Sequence, residues 1–210
     1  MDNLATEYWD HVASHSIDPA RNVMIYDNVF KRRVVLKRLL EFDFYKKSIL
    51  EIGIGTGTIA GALISLFGDS LTYHATDLSP IFQKFCKRRY GIPVVNTDIT
   101  KLPYHDASFD YVLAMDTLEH IPLEDRKQGN SEINRVMRKN SCIILLIPMD
   151  DSKHDPRFDH GFTMADLMLL IKTISAKLVK FELFEVIARK NGKIVSTHRY
   201  AFALAGRNLP

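Results

Sequence analysis

The chain has 210 residues, 46% hydrophobic and 25% charged, with 28 lysines and arginines against 25 acids. That length favours one domain with a substantial core, and a net charge of +3 is too small to argue for a nucleic-acid partner. No apolar run is long enough to span a membrane, and Met1-Asp2-Asn3-Leu4 lacks the basic start and apolar middle of a signal peptide.

Residues 1–45 precede the first strand. From Met24 to Phe44, Ile25, Val29, Leu36, Leu39 and Leu40 recur at helical spacing, with Lys31, Arg32, Arg33, Lys37 and Arg38 on other positions. The pattern predicts a basic amphipathic helix, whose charged side is either a solvated face or a phosphate- or membrane-binding one. Ser48–Ile52 reads as a strand carrying Glu51. Gly53, Gly55 and Gly57 follow on alternate positions, and a helix is predicted over Thr58–Phe67. Glycines there permit positive φ and leave no Cβ between backbone and ligand. The helix start presents unbonded N–H groups at the same place. Thr72–Thr76 predicts a second strand ending at Asp77, and Pro80–Arg89 a helix. Asp77 is placed to accept both hydroxyls of a ribose. Asp77 or Ser79 equally suits the N-cap of that helix.

Val94–Asn96 reads as a third strand running into Asp98, and Phe109–Met115 as a fourth, with Asp110 structural at its start. Beyond it come a helix near Lys127–Met137, a strand at Cys142–Pro148 and a helix at Met164–Lys172 with Thr163 as N-cap. Phe181–Arg189 and Ile194–Leu204 flank Asn191-Gly192, a hairpin signal. Alternating strands and helices mean an α/β fold with a parallel sheet and right-handed crossovers, here finished by an antiparallel strand. Cys86 and Cys142 fall in an amphipathic helix and an apolar strand, so buried thiols and a cytoplasmic location are expected.

The dinucleotide fingerprint is G-x-G-x-x-G, but Thr58 stands where its third glycine would fall. The E-x-G-x-G-x-G run from Glu51 to Gly57 instead resembles motif I of the class I S-adenosylmethionine (SAM)-dependent methyltransferases. The small-molecule-like branch (methyltransferase type 11, UbiE-like) is the most similar. Asp77 matches that family's ribose-binding acid, and Leu78 the residue beside adenine. Asp98 matches the acid at the adenine amine, and Leu102–Met115 resembles the loop into strand four. These segments stand in the family's order over Ile49–Ile121. The resemblance implies a Rossmann-like, doubly wound, mostly parallel seven-stranded sheet with an antiparallel C-terminal hairpin strand. It implies one methyltransferase domain over 1–210, with 1–45 a helical cap and 46–210 the core. It also implies S-adenosyl-L-methionine as cofactor and S-adenosyl-L-homocysteine as product. Glu51, Gly53, Gly55, Gly57, Asp77, Leu78, Asp98, Ile99 and Met115 are the implied cofactor-binding residues.

Methyl transfer is an in-line displacement, in which placing the nucleophile supplies much of the rate. A base is needed only if the nucleophile arrives protonated. Ligands of open α/β sheets lie outside the carboxyl ends of the strands, which points to Met115–Pro122. There Glu119 and His120, in a "L-E-H-I" frequent in the superfamily, are the candidate catalytic residues. His120 is read either as a general base or orienting group, or as a packed side chain bonded to backbone. Asp116, Glu119 and His120 have i, i+3, i+4 spacing, similar to a metal-binding E-x-x-E-H set in some branches. His154 or His160 would complete a site for Mg or Mn, but a divalent metal is the lesser reading and none is assigned.

Tyr8-Trp9-Asp10 resembles the opening "Y-W-D-x-x-A" of many small-molecule methyltransferases. Tyr8, Trp9 and Tyr26 are then either a lid that excludes water or the docking face of a terminal helix. The loop Asp150–Thr163, with Arg157 and His160, is the expected wall of an acceptor pocket. A small-molecule acceptor is expected, and no membrane partner. Two rival readings stand beside it. The basic helix and Lys84, Lys87, Arg88 and Arg89 fit an RNA or protein methyltransferase, and the glycine turn alone fits a catalytically inactive SAM-binding scaffold or regulatory protein.

Overall fold

A computed structural model describes residues 3–18, 20–24, 29–149, 158–190 and 193–207. The sheet has seven strands: β1 (Ser48–Ile52), β2 (Thr72–Asp77), β3 (Val94–Asn96), β4 (Phe109–Met115), β5 (Met137–Pro148), β6 (Lys177–Lys190) and β7 (Lys193–Gly206). Their spatial order is β3-β2-β1-β4-β5-β7-β6. All neighbours are parallel except β7, which runs antiparallel to both β5 and β6. The strand order reverses between β1 and β4, the switch point where such sheets open a crevice for ligands. The expected Rossmann-like sheet with its antiparallel hairpin strand is the one found.

Side chains alternate along each strand and build two cores. Ile49, Leu113, Ile144, Leu146, Phe202 and Leu204 face one side, under helices α1 (Asn3–Ser16), α2 (Val29–Leu39), α3 (Thr58–Phe67) and α4 (Pro80–Tyr90). Leu50, Ile52, Val112, Ala114, Ile143 and Leu145 face the other, under α5 (Arg126–Val136) and α6 (Met164–Thr173). Central strands buried on both faces explain why β1 and β5 read as continuous apolar runs rather than alternating ones.

Several boundaries move. The helix expected over Met24–Phe44 is shorter, α2 spanning Val29–Leu39. It ends because the N–H groups of Glu41 and Phe42 bond back three residues, to Arg38 and Leu39, and Asp43 then accepts the Tyr45 N–H at 2.9 Å. A two-residue ladder, Ile17–Asp18 against Val23–Met24, precedes it. β5 starts at Met137, earlier than its apolar run, because Met137 already pairs with Phe109 across a register shift. The hairpin arms are longer than their apolar cores, since cross-strand pairing carries polar residues as far as Lys190 and Lys193. The Asn191-Gly192 turn lies outside the described residues, as do Tyr26, His154 and Arg157. Asp110 is structural as expected, accepting the Ser48 N–H at 2.8 Å and the Arg138 guanidinium at 2.6 Å.

Candidate active site

β1 delivers the chain into the glycine turn at the switch point. Gly53, Gly55 and Gly57 have φ of +70°, +52° and +67°, the left-handed region that other residues reach only with strain. Each also has its own neighbourhood. A Cβ on Gly53 would lie 2.7 Å from the Thr117 side chain, and one on Gly57 would lie 2.8 Å from Cys86 Sγ. A Cβ on Gly55 would meet nothing within 4 Å, so only its backbone angle calls for glycine. Gly57 is thus held by helix packing as much as by turn geometry. The sequence did not single out Gly61, whose missing Cβ lets the Tyr90 ring lie against α3.

A groove crosses this turn in two hollows. One, of about 330 Å³, is lined by Gly53, Asp77, Leu78, Asp98, Ile99, Asp116 and His120, among others. The second, of about 210 Å³, is lined by Glu51, Gly53, Ile54, Thr56, Met115, Asp116 and Lys31, among others. Gly53 and Asp116 border both hollows, so the two meet there. Seven of the nine expected cofactor residues line the groove. Gly55 joins it through its N–H, which donates to Asp77 Oδ2 at 2.8 Å, and Gly57 stands back in the packing.

Asp77 is buried, and its other oxygen accepts the Ser79 N–H at 2.9 Å. Burial, opposed by those bonds, pushes its pKa up to about 6. Asp77 faces the groove, and Ser79 Oγ caps α4 by accepting the Phe82 N–H at 3.3 Å, one of the two caps the sequence offered. Asp98 closes a turn with Thr100, whose N–H and hydroxyl both donate to Oδ1. Glu51 is buried, accepts the Tyr73 hydroxyl at 2.8 Å, and is pushed by burial up to about 8.

Past β4, the helix face expected for Asp116, Glu119 and His120 does not form. Asp116 takes φ of +53°, and Leu118–His120 make a single 3₁₀ turn. The reversal turns Asp116 toward α2, where the Lys31 ammonium grips its Oδ2. Burial alone would lower the Lys31 pKa, but the Asp116 charge raises it overall. Asp116 Oδ1 and Glu119 Oε2 are buried without hydrogen-bond partners among the described residues. Glu119 is held well above the usual carboxylate range by burial and then by the Asp116 charge. Among the described residues no group of three or more His, Cys, Asp or Glu is arranged to hold a metal.

His120 Nδ1 lies 2.9 Å from the Phe158 carbonyl, which can only accept, so Nδ1 carries the proton and Nε2 points toward Glu119, 3.6 Å away. Trp9 of α1 sets its ring edge-on to His120 at 4.7 Å, and Tyr8 stacks on Phe158 at 4.0 Å. Asp10 anchors the same helix by accepting the Ser79 hydroxyl and, at 3.4 Å, the Ile81 N–H. Lys31, Thr117, Asp10 and Phe158 were not singled out as site-forming by sequence. Lys31 looks there like any residue of a basic stripe, and its partner lies 85 positions away.

Fold and groove together define a Rossmann-like α/β domain with a ligand crevice at the switch point of its sheet. Residues 49–140 match the family described as "Methyltransferase domain". The chain is 36% identical over 83 residues to a probable phthiotriol/phenolphthiotriol dimycocerosates methyltransferase 2 of Mycobacterium ulcerans, covering 38% of this chain and 32% of that protein. It spans between 32% and 50% of the length of the curated relatives it matches. Among solved structures it is similar to the [4+2]-cyclase SpnF, with TM-score 0.71, 16% identity and coverage of 98% of this chain and 95% of that one. It is similar also to a 1,6-didemethyltoxoflavin-N1-methyltransferase of Burkholderia thailandensis with bound 1,6-didemethyltoxoflavin and S-adenosylhomocysteine. There the TM-score is 0.66 at 20% identity, covering 97% of this chain and 88% of that one.

Proposed function

We propose that this protein transfers a methyl group from S-adenosylmethionine to a small-molecule acceptor by in-line displacement. The observation that carries the reading is the groove whose two hollows meet over Gly53 at the sheet's switch point, one lined by Asp77 and Asp98, the other by Glu51 and Met115. The residues present fit such a cofactor. Gly53 has no Cβ at the junction, and the Asp77 oxygens each accept one backbone N–H and keep lone pairs for a ribose. Leu78 and Ile99 offer apolar walls to a purine beside Asp98, and Glu51 lies in the hollow left for the amino-acid end. The cofactor supplies a methyl group bonded to positive sulfur.

The remaining work falls to this chain's own side chains. Trp9 and Phe158 wall the groove from water. Asp116, steadied by Lys31, borders both hollows and keeps one acceptor oxygen without a partner among the described residues, suited to an acceptor's N–H or O–H. His120 Nε2 is the atom able to take a proton from a hydroxyl or amine. We assign Glu119 and His120 as the groups flanking the acceptor, with no metal, and residues 1–45 as the cap of a single domain. The named methyltransferase relatives act on small molecules or lipids by their descriptions, which supports that acceptor class. The two cysteines, both free and buried, suit a cytoplasmic setting.

The cyclase neighbour marks the alternative, since a closely similar backbone carries a different chemistry. Calorimetry of SAM and S-adenosylhomocysteine against wild type and Asp77→Ala separates these. Loss of a carboxylate that accepts ribose hydroxyls should weaken binding by about 1.5–3 kcal/mol, roughly tenfold to a hundredfold. Wild-type protein that binds neither molecule would end the reading. Tight binding with no labelled product from any acceptor would leave a cofactor-binding protein that is not a methyltransferase.

A further inference from the structure

We infer that β6 is a self-pairing edge through which two copies of this chain join their sheets, antiparallel about a twofold axis at Phe181. β6 closes the sheet. It pairs with β7 on one side, and among the described residues no strand borders the other. It is 14 residues long, and Val179, Leu183 and Ile187 are 54%, 65% and 41% exposed. Edges that must stay single are typically short, broken by proline or guarded by charge. This one has a bulge at Val179, where Leu178 and Lys180 pair with consecutive residues of β7. It has no proline, and its charges are of both signs.

The order of those charges names the partner. Around Phe181 the sequence reads Leu178-Val179-Lys180-Phe181-Glu182-Leu183. Each residue lies on the same face as the β7 residue it opposes. Phe181 and Leu183 oppose Ala203 and Ala201, on the side of α5 and α6, and Leu178 opposes Ala205 there. Lys180 and Glu182 oppose Leu204 and Phe202, on the side of α2. A twofold axis at Phe181 therefore sets Lys180 against Glu182 of the second copy, twice, on one face. On the other face it sets Leu178 and Val179, which share one rung through the bulge, against Leu183 of the second copy. Opposite charges and apolar pairs directly across an antiparallel ladder stabilise it. A parallel pairing in register would put lysine on lysine.

Lys180 and Glu182 are already held in place within one copy. Lys180 lies 2.7 Å from Glu41 and 3.1 Å from Glu182, and Glu182 lies 2.6 Å from Arg38. Pairing would extend these ion pairs into one band across the axis, and the interface it makes is isologous, as in most homodimers.

Sedimentation equilibrium of the full chain over a wide concentration range is the test, with two perturbations. Wild type should reach twice the 24.1 kDa chain mass, and Leu183→Lys should shift the midpoint to at least tenfold higher concentration with an unchanged circular dichroism spectrum. Lys180→Glu alone places four acids across the axis and Glu182→Lys alone four lysines, so each should be monomeric. Mixing those two variants restores opposite charges at every rung and should regenerate a dimer, an outcome that a folding defect in either would not produce. Three results overturn the inference: a wild-type monomer at every concentration, a dimer indifferent to Leu183→Lys, or no dimer from the mixture. Association of β6 only with a different protein would likewise overturn it.

Discussion

His120 spends its Nδ1 proton on the Phe158 carbonyl, which leaves Nε2 as its only atom able to receive one. That division makes its two readings separable. If it serves as general base, His120→Asn should cut kcat by about 10²–10⁴, while calorimetric SAM affinity stays unchanged. If it serves only to tie Phe158 to the turn, Asn restores a donor and turnover survives. The histidine was legible from its place after strand four. Its tautomer was not, because the carbonyl that sets it lies 38 residues downstream. The same holds for Asp116, whose spacing to Glu119 suggested a helix face that a positive φ removes. A periodicity argument assumes one backbone conformation, and a single left-handed residue breaks it.

α1 is the element whose role the groove alters most. Its Trp9 and Ala5 line the larger hollow, and its Asp10 is fastened to Ser79, the N-cap of α4, two residues after Asp77. α1 and Asp77, the carboxylate proposed to hold the ribose, therefore share one hydrogen-bonded corner. Asp10→Ala should weaken SAM binding several-fold and raise protease sensitivity near the N-terminus, since each bond to a charged group contributes about 1.5–3 kcal/mol, here divided between cap and α4. Limited proteolysis with and without SAM reads the outcome. Equal cleavage in both, at wild-type affinity, would make α1 a packed ornament of the core and remove the lid. The resemblance at Tyr8-Trp9-Asp10 pointed to this helix. Its anchor was out of reach, because Asp10 meets its partner 69 positions away.

At the scale of the whole molecule, the alternation of elements made a parallel sheet with right-handed crossovers and an antiparallel finish legible, and the resemblance supplied its seven strands. What stayed hidden is electrostatic, because burial of an acid depends on layers that only the folded chain supplies. Burial pushes Glu51 from 4.5 to about 8 and Asp77 from 3.8 to about 6. Between the lower and upper value of each, the folded chain keeps a proton that the unfolded chain has released, so stability falls as pH rises. The slope is at most about 1.4 kcal/mol per pH unit for each group. It vanishes below the unfolded values, where both states are protonated, and above about 8, where Glu51 is ionised in both. Thermal unfolding of the free protein should show this decline, and Glu51→Gln should flatten the part between about 6 and about 8. A cationic group placed beside Glu51 favours its ionised form, so binding of SAM near neutral pH should release a proton. Calorimetry in two buffers of different ionisation enthalpy measures that release directly. Equal enthalpies in both buffers would place the cofactor's ammonium away from Glu51 and turn its hollow over to the acceptor.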